Sequence, residues 1–186
     1  MARIAYMTEK TAAPEALAEW ARMRGARGSG PGHLYQLLAH NPKLMARWAA
    51  LAETLRGFDR DVSVALDARS RELAIIEVAR CTGATYEWAA HEPLARREGV
   101  TEAQVAALLR EDPEPFTDAD RALVAYAAES TRTVRVADGT FAALKQHFSE
   151  QQILELTVTI AFYNCVARVL EGLAIDLDEG MKPVTL

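Results

Sequence analysis

The stretch that decides the fold is residues 67–99, DARSRELAIIEVARCTGATYEWAAHEPLARREG. Its first half repeats apolar residues at the spacing of an amphipathic helix. Asp67 is suited to accept hydrogen bonds at the start of that helix, and Gly83 is suited to end it. The second half has the same helical character and ends at Gly99. The stretch therefore predicts two consecutive helices.

The remaining sequence extends this helical pattern in both directions. Thr101 with Gln104, and Ser149 with Gln152, have the spacing of capping boxes at helix starts. Strand-like residues occur only in short runs such as TVRV at 133–136. The sequence predicts an all-α protein with further helices at about 14–23, 33–40, 42–57, 101–110, 118–130, 138–147 and 150–171.

The length and composition predict one domain over residues 1–186. Half of the residues are hydrophobic and 25% are charged, which is an ordinary balance for a globular protein. The two halves of the chain show the same order of predicted helices. In each half a short helix is followed by a capped helix and then by an apolar helix that a polar residue interrupts. An internal duplication of helical halves is one interpretation of that order.

Net charge and apolar patterning exclude some classes of partner. The net charge is −5 and the pI is about 5.4, so the basic excess of a nucleic-acid-binding surface is absent. The first residues, MARIAYMTEK, lack the apolar segment of a secretory signal. The apolar run at 153–175 is interrupted by Glu155, Arg168 and Glu171, which predicts a core helix and no membrane contact.

The cysteine content and the glycine-rich segment carry no recognisable binding motif. Cys81 and Cys165 form neither a disulfide framework nor a metal-type spacing. Each lies on an apolar stretch and is predicted to be a small buried hydrophobic residue in a cytoplasmic protein. The stretch GARGSGPG at 25–32 is predicted to be a loop, and it lacks the Gly-Lys-Ser/Thr ending of a phosphate-binding loop.

Glu87 and His91 are the first candidates for chemistry. They are four residues apart, so they share one face of a helix. A carboxylate beside an imidazole favours its charged form and can orient it for proton transfer. An exposed pair that contributes only about 0.2–0.5 kcal/mol to the helix fits the same spacing. Pro93 removes a helical hydrogen bond near His91, which fits either a site or a packing adjustment.

Neither of two familiar metal-binding motifs fits this helix. The fourth residue after His91 is Ala95, where a zinc protease helix would have a second histidine. The spacing from Glu87 to His91 is also one residue longer than in the Glu-x-x-His motif of di-iron bundles. We therefore predict no metal site.

Residues 69–108, together with HNPKLMARWAAL at 40–51, resemble the carboxymuconolactone decarboxylase and AhpD-like alkylhydroperoxidase superfamily. The matching motifs are Arg-Glu-Leu at 71–73, aromatic-Glu-x-x-x-His at 86–91 and Gly-Val-Thr-Glu at 99–102. The resemblance covers about residues 40–125, and residues 126–186 are similar to the helical C-terminal extension of many members. It implies an AhpD-like helical bundle that assembles as a homotrimer or homohexamer.

The resemblance also bears on the type of reaction. The peroxidase branch carries a Cys-x-x-Cys pair whose positions fall here on Ala84 and Glu87, so both redox cysteines are missing. Thiol peroxidase chemistry requires a thiolate and a resolving partner. The decarboxylase branch uses no metal or organic cofactor and is similar at the Glu-x-x-x-His motif. We therefore expect no cofactor and a small-molecule substrate.

Residue roles follow from the same resemblance. It implies that His91 donates or shuttles a proton, while Glu87 or Glu72 holds the histidine and tunes it. Tyr86 is a candidate to hydrogen-bond the substrate. Arg71 is a candidate to bind a substrate carboxylate, and an ion pair on the helix surface with a neighbouring carboxylate is the alternative. The predicted function is a cofactor-independent acid–base enzyme, decarboxylase- or lyase-like, acting on a small organic acid or lactone.

Two other functions remain open at this point. One is an AhpD-like peroxidase that works through Cys81 or Cys165. The other is a non-catalytic member that keeps the superfamily cavity to bind a ligand.

Overall fold

All described regular structure is helical, as the capped apolar segments predict. The computed structural model describes residues 1–27 and 31–186, and within them it contains nine α-helices and no strand. These are α1 (Pro14–Arg27), α2 (His33–Leu38), α3 (Pro42–Leu55), α4 (Ala68–Thr82), α5 (Thr85–Arg97), α6 (Glu102–Arg110), α7 (Asp118–Thr133), α8 (Asp138–Lys145) and α9 (Glu150–Gly172). Of the predicted loop at 25–32, residues 28–30 lie outside the described part.

Helix starts and ends follow local side-chain chemistry. The Asp67 carboxylate accepts a hydrogen bond from the Ser70 amide, and both predicted capping boxes are formed. Gly83 ends α4 with a φ of 68°, a left-handed conformation that costs glycine little. α1 is longer than predicted and continues to Arg27, because one glycine costs a helix only about 1 kcal/mol.

The core is built around α4. Every residue of α4 from Ser70 to Ala79 is buried, and α5, α7 and α9 pack against this helix. α9 is the one helix in the described part of the chain with the length and apolar character of a membrane span, and half of that segment is buried in the fold. Its inward residues are the apolar and aromatic ones, which include Ile153, Leu156, Ile160, Phe162, Tyr163, Val166 and Leu170.

The two ends of the chain meet beside this core. The C-terminal tail, residues 175–186, lies against the N-terminal segment, where the Tyr6 hydroxyl donates a hydrogen bond to the Asp176 carboxylate. Asp178 accepts a hydrogen bond from the His33 amide at 2.6 Å and thereby caps α2. The tail is therefore fixed over one end of the bundle.

The cysteine positions differ from the prediction. Cys165 is exposed and Cys81 is half-buried, and neither is a core residue. Cys165 lies on the outer face of α9, between the buried residues Tyr163 and Val166. Cys81 lies in the last turn of α4, where its thiol contacts the Glu77 carboxylate at 3.3 Å. The prediction of two buried hydrophobic cysteines is wrong. It relied on the apolar character of the sequence around each cysteine, whereas burial depends on the face of the helix on which the cysteine lies.

A buried ion pair joins the start of α4 to the start of α7. Arg69 donates two hydrogen bonds to the Asp120 carboxylate, at 2.6 Å and 3.0 Å, and Gln104 donates a third. Burial alone would raise the pKa of Asp120, but the hydrogen bond and charge of Arg69 lower it overall. Asp120 is therefore ionised near neutral pH and bonded on both oxygens.

We expect Asp120→Ala to lower the free energy of unfolding by about 2–4 kcal/mol, because it leaves the Arg69 guanidinium unpaired and removes a helix cap. Urea denaturation checks the value. The control is Asp118→Ala, which removes a largely exposed carboxylate from the same helix and is expected to cost about 0.5 kcal/mol or less. Equal losses in the two variants would contradict a structural role for the Arg69–Asp120 pair.

Candidate active site

A cavity of about 270 Å³ lies between α2, α3, α5, α9 and the C-terminal tail. Most of the residues that a helix contributes share one face, because positions three or four apart project in similar directions. The residues lining it are Trp48, Ala52 and Arg56 from α3, Tyr86, Glu87, Ala90 and His91 from α5, Phe162, Tyr163, Val166 and Leu170 from α9, and Met23, Gly32, Leu34, Tyr35, Asp178 and Met181.

His91 is held by a buried carboxylate. Its Nδ1 lies 2.7 Å from Oε2 of Glu72, which projects from α4 behind the histidine and does not line the cavity. The edge of the Tyr163 ring packs against the imidazole, with the ring centres 4.9 Å apart. Because Nδ1 is engaged by Glu72, Nε2 is the nitrogen left for a ligand. The pair has the arrangement of a histidine oriented by a carboxylate.

The surroundings of the Glu72 carboxylate favour its ionised form. Burial alone would raise the pKa of Glu72, but the hydrogen bond and charge of His91, together with the charges of Arg56 and Arg71, lower it overall. An ionised carboxylate at this distance is an acceptor for an N–H on Nδ1 of His91, and it fixes the orientation of the imidazole ring.

Glu87 has a different environment. It is only 1% exposed, it lines the cavity, and neither of its carboxylate oxygens has a hydrogen-bond partner among the described residues. Burial raises the pKa of Glu87 well above its ordinary value, since nothing compensates its charge. The surroundings of Glu87 therefore favour its neutral carboxylic acid form. Because Glu87 and His91 are both buried, the interpretation as an exposed surface pair is excluded.

Tyr86 is bound to the C-terminal tail. Its hydroxyl donates a hydrogen bond to the Asp178 carboxylate at 2.7 Å, and burial with this bond raises the pKa of Tyr86. The contact requires glycine at position 32, where a Cβ would lie 2.3 Å from the nearest Asp178 oxygen and 2.9 Å from the Tyr86 hydroxyl. The tyrosine therefore closes one end of the cavity in this structure.

Arg71 lies apart from the cavity. It is buried, with Nε 3.6 Å from Oε1 of Glu72 and without a hydrogen-bond partner in the described part of the chain. It is not among the residues that line the cavity. The structure thus brings Glu72, His91 and Arg71 into one buried charged group, with Glu87 and Tyr86 on the cavity surface.

Several cavity residues were not singled out from the sequence. They are the cation Arg56 and the side chains that shape the cavity around it, Trp48, Phe162, Tyr163 and Asp178. A signal exists for Arg56, because it follows Trp48 and Ala52 at intervals of four and so continues an inward-facing row of α3. No local pattern indicates the residues of α9 or the tail, which reach the cavity only through tertiary packing.

The cysteines lie elsewhere. Cys81 and Cys165 do not line this cavity. Burial, followed by the charge and hydrogen bond of Glu77, raises the pKa of Cys81 to about 12, which leaves almost no thiolate near neutral pH. Among residues 1–27 and 31–186 there is also no group of three or more histidine, cysteine or carboxylate side chains placed to hold a metal ion.

The raised pKa of Glu87 predicts a pH-dependent gain in stability for Glu87→Gln. Above the ordinary value of 4.5, the unfolded chain releases the Glu87 proton while the folded chain keeps it, so wild-type stability falls as pH rises. Glutamine has no proton to lose. The variant's advantage should therefore grow by about 1.4 kcal/mol per pH unit until the folded-state pKa is reached.

Urea denaturation at several pH values between about 5 and 8 measures this difference. The matched control is Glu114→Gln, at an exposed position outside the helices. Its difference from wild type in free energy of unfolding should be the same at every pH. Parallel stability curves for wild type and Glu87→Gln would show that Glu87 ionises normally in the folded protein.

Comparisons with known proteins agree with this architecture. Residues 42–129 match the model of the carboxymuconolactone decarboxylase family. An uncharacterized peroxidase-related protein from Ralstonia eutropha JMP134, described as an alkylhydroperoxidase AhpD core, is similar in structure with a TM-score of 0.81 at 15% identity. The similarity covers 96% of this chain and 93% of that one.

Two further solved structures show the same fold. One is the debrominase Bmp8, as a cysteine-to-alanine variant in complex with 2,3,4-tribromopyrrole, with a TM-score of 0.77, 17% identity, and coverage of 95% of this chain and 92% of that one. The other is an uncharacterized peroxidase-related protein from Silicibacter sp. TM1040, with a TM-score of 0.77, 17% identity, and coverage of 96% and 97%.

No curated protein matches the sequence of this chain. At these identities the solved structures show the fold alone. The family match spans α3 to α6 and most of α7, and the chain as a whole shares the AhpD-like helical fold, so both findings agree with the resemblance to the carboxymuconolactone decarboxylase and AhpD-like superfamily.

Proposed function

We propose that this protein is a cofactor-independent acid–base enzyme that acts on a small organic acid or lactone in a decarboxylase- or lyase-like reaction. The observation that carries the proposal is the pair of proton-bearing groups on one cavity. His91 is oriented by Glu72 at 2.7 Å, and Glu87 is buried without a partner. The surroundings of the two carboxylates shift their pKa values in opposite directions, down for Glu72 and up for Glu87, which is typical of acid–base sites.

The proposed step is protonation of carbon after loss of a carboxylate. When the carboxylate leaves as carbon dioxide, its bonding electron pair remains on the adjacent carbon and spreads onto a neighbouring carbonyl oxygen as an enolate. The neutral Glu87 carboxyl donates a hydrogen bond to that oxygen. The His91 imidazolium gives its Nε2 proton to the carbon, and solvent returns a proton to His91.

Glu72 is a positioning residue in this scheme. It does not line the cavity, and it acts by holding Nδ1 of His91 and by stabilising the imidazolium. Tyr86 is placed to bind substrate once its hydrogen bond to Asp178 is exchanged. Arg71 supports the Glu72 charge in this scheme and does not contact substrate. A cytoplasmic location and assembly as a homotrimer or homohexamer stay predictions.

A thiol-dependent activity is a weaker candidate, although some structurally similar proteins are described as peroxidase-related. Peroxidase chemistry needs a reactive thiolate in the substrate cavity, and neither cysteine lines it. Cys81 is further deactivated by Glu77, which contacts its thiol. The same points disfavour a cysteine-dependent dehalogenation of the kind suggested by the debrominase similarity.

We expect His91→Gln to slow substrate turnover by about 100-fold or more, because it removes the proton donor. Proton NMR in deuterium oxide, with a panel of small β-keto acids and lactone acids, measures turnover and deuterium incorporation at the reacting carbon. Glu72→Gln should also reduce the rate, and it should shift the pH profile because His91 loses its anionic partner.

The control for these variants is His147→Gln, at an exposed histidine remote from the cavity, where the rate should not change. Wild-type turnover that persists in His91→Gln would overturn the acid–base assignment. Absence of turnover by the wild type across the whole panel would favour a non-catalytic, ligand-binding role.

The Cys81→Ser/Cys165→Ser double variant separates the acid–base and thiol mechanisms. We expect it to keep full acid–base turnover, because neither sulfur reaches the cavity. We also expect no cysteine-dependent consumption of cumene hydroperoxide by the wild type, measured by loss of the peroxide with dithiothreitol as reductant. Hydroperoxide consumption that disappears in the double variant would establish the thiol mechanism instead.

A further inference from the structure

The charges around the cavity leave one cation unbalanced. The Glu72 carboxylate is bonded to His91, and Asp178 accepts hydrogen bonds from the Tyr86 hydroxyl and the His33 amide. Arg56 lines the cavity without a carboxylate at ion-pair distance among the described residues. Its Nε is buried and has no hydrogen-bond partner in that part of the chain.

Arg56 is nevertheless held in place. Its guanidinium carbon lies 4.9 Å from the centre of the Phe58 ring, which is an attractive arrangement of a cation on an aromatic face. Arg56 is the residue that caps the C-terminal end of α3, two turns after Trp48 along the same face. A half-buried guanidinium without an anion, fixed beside a cavity, favours binding of a carboxylate from a ligand.

Aromatic rings line the cavity from Trp48 of α3 to His91. The rings of Trp48 and Phe162 are 5.1 Å apart between centres, those of Phe162 and Tyr163 are 5.5 Å apart, and Tyr163 packs on His91 at 4.9 Å. These side chains form one continuous aromatic surface from α3 to α5. Such a surface favours a flat ring over a flexible chain, because ring faces and edges stack on it with little loss of freedom.

We propose that Arg56 is the anion-binding residue of this cavity and that it selects a monocarboxylate carried on a small flat ring. In this arrangement the carboxylate lies at Arg56 and the ring lies along Trp48, Phe162 and Tyr163. The far edge of the ring then reaches His91 and Glu87. The inference rests on the proposed function in its lyase-like form, with proton transfer from His91 at that edge, because a ligand whose single carboxylate lies at Arg56 has none beside His91 to lose. Binding itself requires no turnover.

The selection of a single negative charge follows from the rest of the cavity. Arg56 is the only cation lining it that lacks a carboxylate partner among the described residues, and the Asp178 carboxylate lines the same cavity. A second carboxylate on the ligand that reached Asp178 would therefore meet a like charge and no free cation. Charge repulsion and unrelieved desolvation would both oppose it in a cavity of this size.

Isothermal titration with benzoate tests the inference directly, with benzamide as the neutral analogue and benzene-1,3-dicarboxylate as the dianion. The wild type should bind benzoate more tightly than either analogue. Arg56→Met keeps the length of the side chain and removes the charge, and it should weaken benzoate binding by about 10-fold or more. Arg56→Lys should keep part of the affinity.

The matched control is Arg47→Met, which removes an exposed arginine from the same helix and changes the net charge equally. It should leave benzoate binding unchanged. Equal affinity of Arg56→Met and wild type for benzoate would overturn the assignment. The assignment would also fail if the wild type bound benzamide or the dianion as well as benzoate, a comparison that needs no variant.

His91→Gln distinguishes this inference from the proposed function. The variant should lose turnover but still bind benzoate, because the Arg56 guanidinium is unchanged. Benzoate binding that depends on Arg56, without any turnover in the wild type, would support the binding site and reject the acid–base reaction. Turnover that depends on His91 but not on Arg56 would support the reaction and reject the binding site.

Discussion

The burial of α4 is the constraint on which the rest of the structure depends. A helix that is buried over a run of ten residues, Ser70 to Ala79, cannot leave its charged side chains in water. Each needs a partner from another turn or another helix. Glu77 is bound by Arg80, and Glu72 is bound by His91 of α5. The orientation of the candidate catalytic histidine therefore follows from a requirement of the core.

Glu87, in contrast, is a buried carboxylate without a hydrogen-bond partner among the described residues. Glu72 and Glu77 are both bonded, whereas both oxygens of Glu87 lack a partner in the described structure. A core selected for stability alone would fill this position with an apolar residue or supply a donor. An unsatisfied acid on a cavity surface is the kind of local cost that proteins retain at functional sites.

Local chemistry was predictable from the sequence, and contacts between distant residues were not. The Thr101 and Ser149 capping boxes are formed as predicted, because each depends on residues three apart. The Glu87–His91 spacing indicated the right helix face but not the partner, since the bond of His91 goes to Glu72, 19 residues earlier. Arg56 continues the row of Trp48 and Ala52, which is a local signal, but its place on the cavity depends on how α3 meets α5 and α9.

The cavity also explains why similarity to the superfamily does not identify the substrate. The family match ends at residue 129, and it contains Arg56, Glu72, Glu87 and His91. The aromatic surface of α9 and the Asp178 carboxylate lie beyond that point. The proposed proton-transfer groups thus belong to the matched region, whereas much of the surface that lines the cavity comes from the C-terminal extension. Relatives with the same Glu-x-x-x-His helix and a different extension would keep the proton chemistry and change the ligand, since specificity depends on the contacts around the reacting group.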